Sequence, residues 1–141
     1  MIILDTNVIS ETMRPAPEPT VVAWLNRQDS LSLFLTTPTI AEVHYGIEAL
    51  PNGKRRRALS DGFDRMLREA FEGRILTFDL GAAKRYGLVM SARRARGRPL
   101  SVVDGQIAAM ALDRHAVIAT RNVRDFEGCG VEVVDPFARG K

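Results

Sequence analysis

Short apolar runs alternate along this chain with longer stretches whose apolar residues recur every three or four positions, and that alternation constrains the fold most. Ile2-Ile3-Leu4 ends abruptly at Asp5, as a buried strand does at its carboxyl end. The same reading predicts strands over 31–36, 75–78, 116–119 and 131–134. A short helix is expected after Asp5, interrupted by Pro15, Pro17 and Pro19, and a second is marked by Val21, Val22, Trp24 and Leu25. Thr37-Pro38 reads as an N-cap followed by proline at the first helical position. Ile40, Val43, Ile47 and Leu50 then form the stripe of an amphipathic helix over 38–50. Asn52-Gly53 breaks the chain before a stripe of Leu59, Phe63, Met66, Leu67 and Phe71 that stops at Gly73. Asp79 is placed to cap a helix running to about Gly97, and Pro99 and Ser101 introduce another over 102–114. Strands alternating with helices predict an α/β fold, a central parallel sheet of about five strands flanked by helices. All of it fits one domain, 1–141.

Composition narrows the class. The 141 residues are 45% hydrophobic and 26% charged, an ordinary globular balance that excludes fibrous and largely disordered chains. One cysteine, Cys129, permits no intrachain disulfide and fits a reducing compartment. No apolar run approaches the ~20 residues of a membrane span, so the expected location is cytoplasmic. Of 20 cations, 17 are arginine. Residues 84–98 hold six cations and no acid, which leaves the remainder of this +3 chain at −3. Clustered arginine suits phosphate, yet a charge run is also what a solvated face looks like.

In open parallel sheets, sites gather beyond the carboxyl ends of the strands. Asp5, Glu42, Asp104 and the run Thr120-Arg121-Asn122, with Asp125 beyond it, all fall at that edge. Each has an ordinary structural reading: Asp5 as a helix cap, Glu42 as an acid near a helix start, Ser101 with Asp104 as a capping box, Asp125 as a turn. Their recurrence at one edge favours chemistry. Gly46, one turn after Glu42, sits mid-helix at a cost of about 1 kcal/mol, which predicts close approach of a backbone or ligand there. Two carboxylates about 4 Å apart repel by roughly 4 kcal/mol at an effective dielectric of 20, so converging acids need a cation or a proton. Oxygen donors suit Mg²⁺ or Mn²⁺. His44, His115 and Cys129 offer no zinc spacing.

The ordered motifs Asp5-Thr6-Asn7, Ala41-Glu42-Val43-His44-Tyr45-Gly46, Asp104-Gly105-Gln106-Ile107-Ala108-Ala109 and Thr120-Arg121-Asn122 resemble those of PIN-domain nucleases, and among them the VapC and FitB-like toxins of type II toxin–antitoxin systems. The resemblance extends over essentially the whole chain. It implies Mg²⁺-dependent cleavage of RNA phosphodiesters, with Mn²⁺ as a substitute metal. By likeness, Asp5 and Asp104 are the principal metal ligands, and Glu42 is a further ligand or a water positioner. Thr6 and Asn7 orient Asp5, and Thr120 bonds an acid or the scissile phosphate; because an acidic pocket repels a polyanion, Arg121 beside Thr120 is expected to contact phosphate. Asn122 stands where some relatives carry a fourth acid, a place Asp125 could fill instead. Gly105 replaces an alanine common in the family, a change expected to matter little. Arg93, Arg94, Arg96, Arg98 and Lys54-Arg55-Arg56-Arg57 are candidates for drawing in RNA. The resemblance further implies a VapB- or FitA-like antitoxin, contact with operator DNA through that antitoxin, and a homodimer. Trp24, Leu25, Tyr45 and the helix around Leu59 to Phe71 are candidates for the antitoxin groove, with core packing the alternative for Leu59 and Phe63. A different reading is a catalytically weak PIN-fold partner acting with an antitoxin on operator DNA. A haloacid-dehalogenase-type phosphatase wants a second acid where Asn7 stands, and a Rossmann binder wants a Gly-rich loop after the first strand.

Overall fold

A computed structural model describes residues 1–139. Five strands, β1 (Ile2–Leu4), β2 (Leu33–Thr36), β3 (Ile75–Leu76), β4 (Val117–Ala119) and β5 (Val133–Val134), form one sheet. Its order is β3-β2-β1-β4-β5 and every pairing is parallel. Six helices cover it: α1 (Thr6–Thr12), α2 (Pro19–Arg27), α3 (Thr37–Glu48), α4 (Lys54–Glu69), α5 (Leu80–Ala95) and α6 (Val102–Arg114). The α/β architecture matches the expectation.

The two-residue period of the strands divides the core. Ile3 pairs with Ile118 and both enter the cluster built with α5 and α6, which includes Val89, Ile107 and Met110. Leu4 pairs with Ala119, and both enter the opposite cluster with Val8, Val21, Val43 and Phe63 from α1 to α4. Strands buried on both faces read as unbroken apolar runs. The chain leaves β1 toward β2 and β3 and then crosses back to β4. The order therefore reverses beside β1, between the ends that carry Asp5 and Thr120, which is where open α/β sheets bind ligands.

Several boundaries differ from the sequence reading. The second strand starts at Leu33, because Asp29 accepts a hydrogen bond from the Leu31 N–H at 3.0 Å and winds Ser30–Ser32 into a 3₁₀ turn. Thr36, one residue before the expected Thr37, caps α3 by accepting from the Thr39 N–H at 3.2 Å. Helix α4 begins at Lys54, five residues before its first stripe position, since its opening turn is exposed and carries no apolar signal. The outer strands β3 and β5 hold only two residues each.

Gly46 has nothing within 4 Å of the position a Cβ would take, so close approach of another backbone does not explain it. Gly105 is the constrained position: an added Cβ would stand 2.4 Å from the Met90 Sδ. Alanine there requires the flexible Met90 side chain to shift. Phe63 is wholly buried, edge-on to His44 at 5.2 Å between ring centroids, and Phe71 is buried with it. Leu59, Met66, Leu67, Trp24 and Leu25 pack on the same core. Of the positions read as an antitoxin groove, Tyr45 alone is open to solvent, at 79% exposed. Phe63→Ala is expected to cost about 3–5 kcal/mol, read as a drop in urea midpoint at unchanged m-value; a loss under 1 kcal/mol would mean the α3–α4 contact is not core. No helix among the described residues is long and apolar enough to cross a membrane.

Candidate active site at the β1–β4 switch point

Asp5 ends β1 and caps α1, with its Oδ1 accepting from the Thr6 N–H at 2.8 Å. Its own N–H donates to the Ala119 carbonyl at 2.9 Å, so the sheet ladder fixes the residue from behind. The Thr120 hydroxyl, wholly buried one residue past β4, donates to Asp5 Oδ2 at 2.7 Å. Asn7 donates to the same oxygen at 3.2 Å and reaches the Thr120 Oγ1 at 3.2 Å. Its other end accepts the Arg121 N–H at 3.0 Å. The motifs at 5–7 and 120–122 are thus one hydrogen-bonded unit, although more than a hundred residues separate them.

Glu42 lies on the exposed face of α3, where its carboxylate accepts the Thr6 hydroxyl proton. Thr39, one turn earlier on α3 and wholly buried, lies 3.3 Å from the same hydroxyl. A hydroxyl has one proton to give, so Thr39 donates to Thr6 while Thr6 donates to Glu42. This relay through Thr39 was absent from the sequence reading; its only trace there is the i, i+3 spacing to Glu42.

Asp104 stands in the first turn of α6, whose cap is Ser101 accepting from the Asp104 N–H at 3.1 Å. Its pKa is raised to about 6, by burial first and by the Asp5 charge second; Asp125 and Glu42 add to the rise and the Ser101 hydroxyl opposes it. Asp5 is also raised, by burial first, against the hydrogen bonds from Thr120 and Thr6, with Glu42 again pushing upward. The acids feel one another across three separate elements.

Asn122 is exposed, and its backbone N–H rather than its side chain closes on the Thr120 Oγ1, at 3.0 Å. Asp125 is the downstream acid whose charge Asp104 feels. Among the described residues, no three Asp, Glu, His or Cys side chains converge tightly enough to enclose a metal ion. The donor chemistry still fits a hard divalent cation. Asp5 and Asp104 offer oxygen only, and each resists ionisation through burial and like charge, a penalty that a cation between them relieves. Mg²⁺ characteristically keeps several waters and takes one or two protein carboxylates.

The basic candidates divide. Arg93 is 4% exposed and turned inward, donating to the backbone carbonyls of Arg98 at 2.8 Å and Glu127 at 3.0 Å. It is not available to phosphate. Arg98 pairs with Glu127 at 3.2 Å, and Arg56 pairs with Glu48. Arg94, Arg96, Lys54, Arg55 and Arg57 are exposed. Arg121 lays its guanidinium 3.8 Å from the centroid of the Phe137 ring. It also faces Glu11 at 4.0 Å, an acid only 4% exposed and given no role from sequence. Glu11 is held below its ordinary pKa, first by the Glu18 N–H that donates to it at 2.9 Å.

The PIN domain family profile matches residues 2–128. Toxin FitB of Neisseria gonorrhoeae is 38% identical over 137 residues, 97% of this chain and 99% of that one. VapC ribonuclease Y4jK of Sinorhizobium fredii is 37% identical over 97% of this chain and 98% of its own length. A solved structure of FitAB bound to an IR36 DNA fragment superposes with a TM-score of 0.93 at 37% identity, covering 100% of this chain and 99% of that one. With the profile spanning nearly all of the sheet and both site motifs, this chain belongs to the PIN domain family.

Proposed function

We propose that this protein is the toxin of a type II toxin–antitoxin pair and acts as a divalent-metal-dependent endoribonuclease. The observation that carries the reading is the hydrogen-bonded unit of Asp5, Asn7 and Thr120 at the switch point, with Asp104 in the first turn of α6 feeling the Asp5 charge. Asp5 and Asp104, with Glu42 as a further ligand or a water positioner, would hold Mg²⁺ or Mn²⁺, which would supply activation of water and compensation of the charge developing on the phosphate. The chain's own groups do the positioning. Thr120, Asn7 and the Thr6 N–H fix both oxygens of Asp5. Thr6 and Thr39 fix Glu42. Arg121 and the Asn122 amide stand on the adjoining strand end to meet the RNA. The relatives named VapC ribonuclease and toxin FitB support the activity and the toxin role, and the FitAB–DNA complex supports a VapB- or FitA-like antitoxin that carries operator contact. A homodimer belongs to the same proposal, as does a cytoplasmic location.

The chain purified free of antitoxin is expected to cut structured RNA with Mg²⁺ or Mn²⁺ and to stop in EDTA, followed as fragments on a denaturing gel. Asp5→Asn is expected to be inactive while retaining the parent's circular dichroism. If the metal-loaded parent cuts no RNA yet binds operator DNA with its antitoxin, the catalytically weak partner is the correct reading. The uncharged Asn122 at a position acidic in some relatives is what keeps that reading in view.

A further inference from the structure

Glu11 is the one acid of α1, four residues after Asn7 and on the same face of the helix. Its carboxylate is buried and holds two guanidinium groups that are not. Arg14 Nη1 lies 3.2 Å from both carboxylate oxygens, and Arg121 Nη2 lies 4.0 Å from Oε1. The Arg14 and Arg121 side chains are 64% and 55% exposed, against 5% for Glu11. Arg14 is therefore hydrogen-bonded to Glu11 at its inner edge, Arg121 lies at ion-pair distance from it, and both are open at their outer edges.

The fastening is thorough. Glu11 is pinned by the Glu18 N–H at 2.9 Å, which ties it to the proline-rich turn. Arg121 is stacked on Phe137, whose own N–H donates to Asp135 Oδ1 at 2.8 Å in a turn just beyond β5. The Arg121 backbone reaches Asn7, and Asn7 reaches Asp5. With two cations on one acid the cluster keeps a net positive charge. A guanidinium has five donors in a planar fork, so a carboxylate on one side leaves others directed outward.

We propose that Arg14 and Arg121, clamped around Glu11, form a phosphate subsite that holds the backbone of the bound nucleic acid strand beside the Asp5–Asp104 centre. The subsite rests on the nuclease reading above, which already turns Arg121 toward the RNA, and it adds a role for Arg14 and Glu11, which that reading leaves unused. An isolated arginine loses side-chain entropy when it grips a phosphate. Here the buried acid and the Phe137 ring have removed much of that freedom beforehand. The arrangement also places cations beside an acidic pocket that repels a polyanion.

Binding without turnover tests it. In an Asp104→Asn background with EDTA present, the affinity of a fluorescein-labelled single-stranded RNA is measured against salt concentration. Arg14→Gln and Arg121→Gln are each expected to weaken binding about 3- to 10-fold at moderate salt and to flatten the log–log salt slope by roughly 0.7, one single-strand phosphate contact. Arg121→Lys is expected to keep the slope and lose part of the affinity, since it retains the charge but not the planar stack. If the glutamine variants melt at lower temperature while affinity and slope stay at the parent's values, the cluster is a structural fastening and the subsite is refuted. A parent that cuts RNA alongside unchanged glutamine variants overturns the subsite alone. A parent that neither cuts nor binds RNA overturns the nuclease reading along with it.

Discussion

Asp104→Asn is expected to abolish RNA cleavage and, in the same protein without metal, to raise resistance to unfolding at pH 7.5. The loss of activity should exceed about 100-fold, because even groups that merely support a metal ligand cost about 10- to 100-fold when removed. The gain in stability follows from linkage. Asp104 has a pKa of about 6 in the folded protein, against 3.8 without its surroundings. Between those values the folded state holds the extra proton. The stability this group contributes is fully present below about pH 4 and is lost as pH rises through 6. At pH 7.5 the folded protein therefore carries an ionised, half-buried acid facing Asp5 that the unfolded chain solvates freely. The bare shift corresponds to about 3 kcal/mol, and solvent screening at a partly exposed group reduces it to about 1 kcal/mol. Asparagine, which cannot ionise, should recover that amount at pH 7.5 and nothing at pH 4. Urea unfolding in EDTA at the two pH values measures it. Adding Mg²⁺ should reverse the order, stabilising the parent by about 1.4 kcal/mol at ten times its Kd and leaving the variant unmoved. Equal stability of parent and variant at pH 7.5 would mean that Asp104 does not feel Asp5.

That half of the site was legible because its signals are local. Asp5 directly follows an apolar triplet, and Ser101 with Asp104 has capping-box spacing; the structure realises the Ser101 half of the box. The two core clusters were legible from period and run length. What escaped the sequence depends on contacts between distant segments. Thr39 matters because α3 meets α1, and Glu11 because Arg121 arrives from β4 more than a hundred residues later. Boundaries failed where one face was silent: the opening turn of α4 is exposed, so periodicity began only at Leu59. Leu31 is an apolar residue left 68% exposed by a 3₁₀ turn that Asp29 caps, and apolar content alone read it as strand.

Arg93 gives the sharpest case, and its removal should destabilise the protein although it lies in a run of charge. Sequence sets it in a run of arginines without acids, the pattern of a solvated face. Four residues earlier on α5, however, stands buried Val89, and that spacing turns Arg93 inward. Its Nε donates to the Arg98 carbonyl, and its Nη1 donates to the carbonyls of Asp125 and Glu127 and lies 3.6 Å from Cys129 Sγ. No carboxylate pairs with it among these contacts; backbone carbonyls satisfy the charge. Arg93→Ala removes the donor to three carbonyls on otherwise exposed residues, a loss of about 1.5–3 kcal/mol as for hydrogen bonds made by a charged group. Lysine keeps the charge but cannot span both segments, so Arg93→Lys should fall between alanine and the parent. The bridge also has a functional consequence. One end holds the turn that leads to Ser101 and Asp104, and the other holds the 3₁₀ turn Val123–Phe126, which bears Asp125. Loosening it should raise amide hydrogen exchange in 96–101 and 122–129 before the sheet centre at Ile3 and Ile118 responds. Uniform exchange across the chain, or a urea stability within 1 kcal/mol of the parent, would show that Arg93 is spare charge and not the tie between the two segments that position the acids.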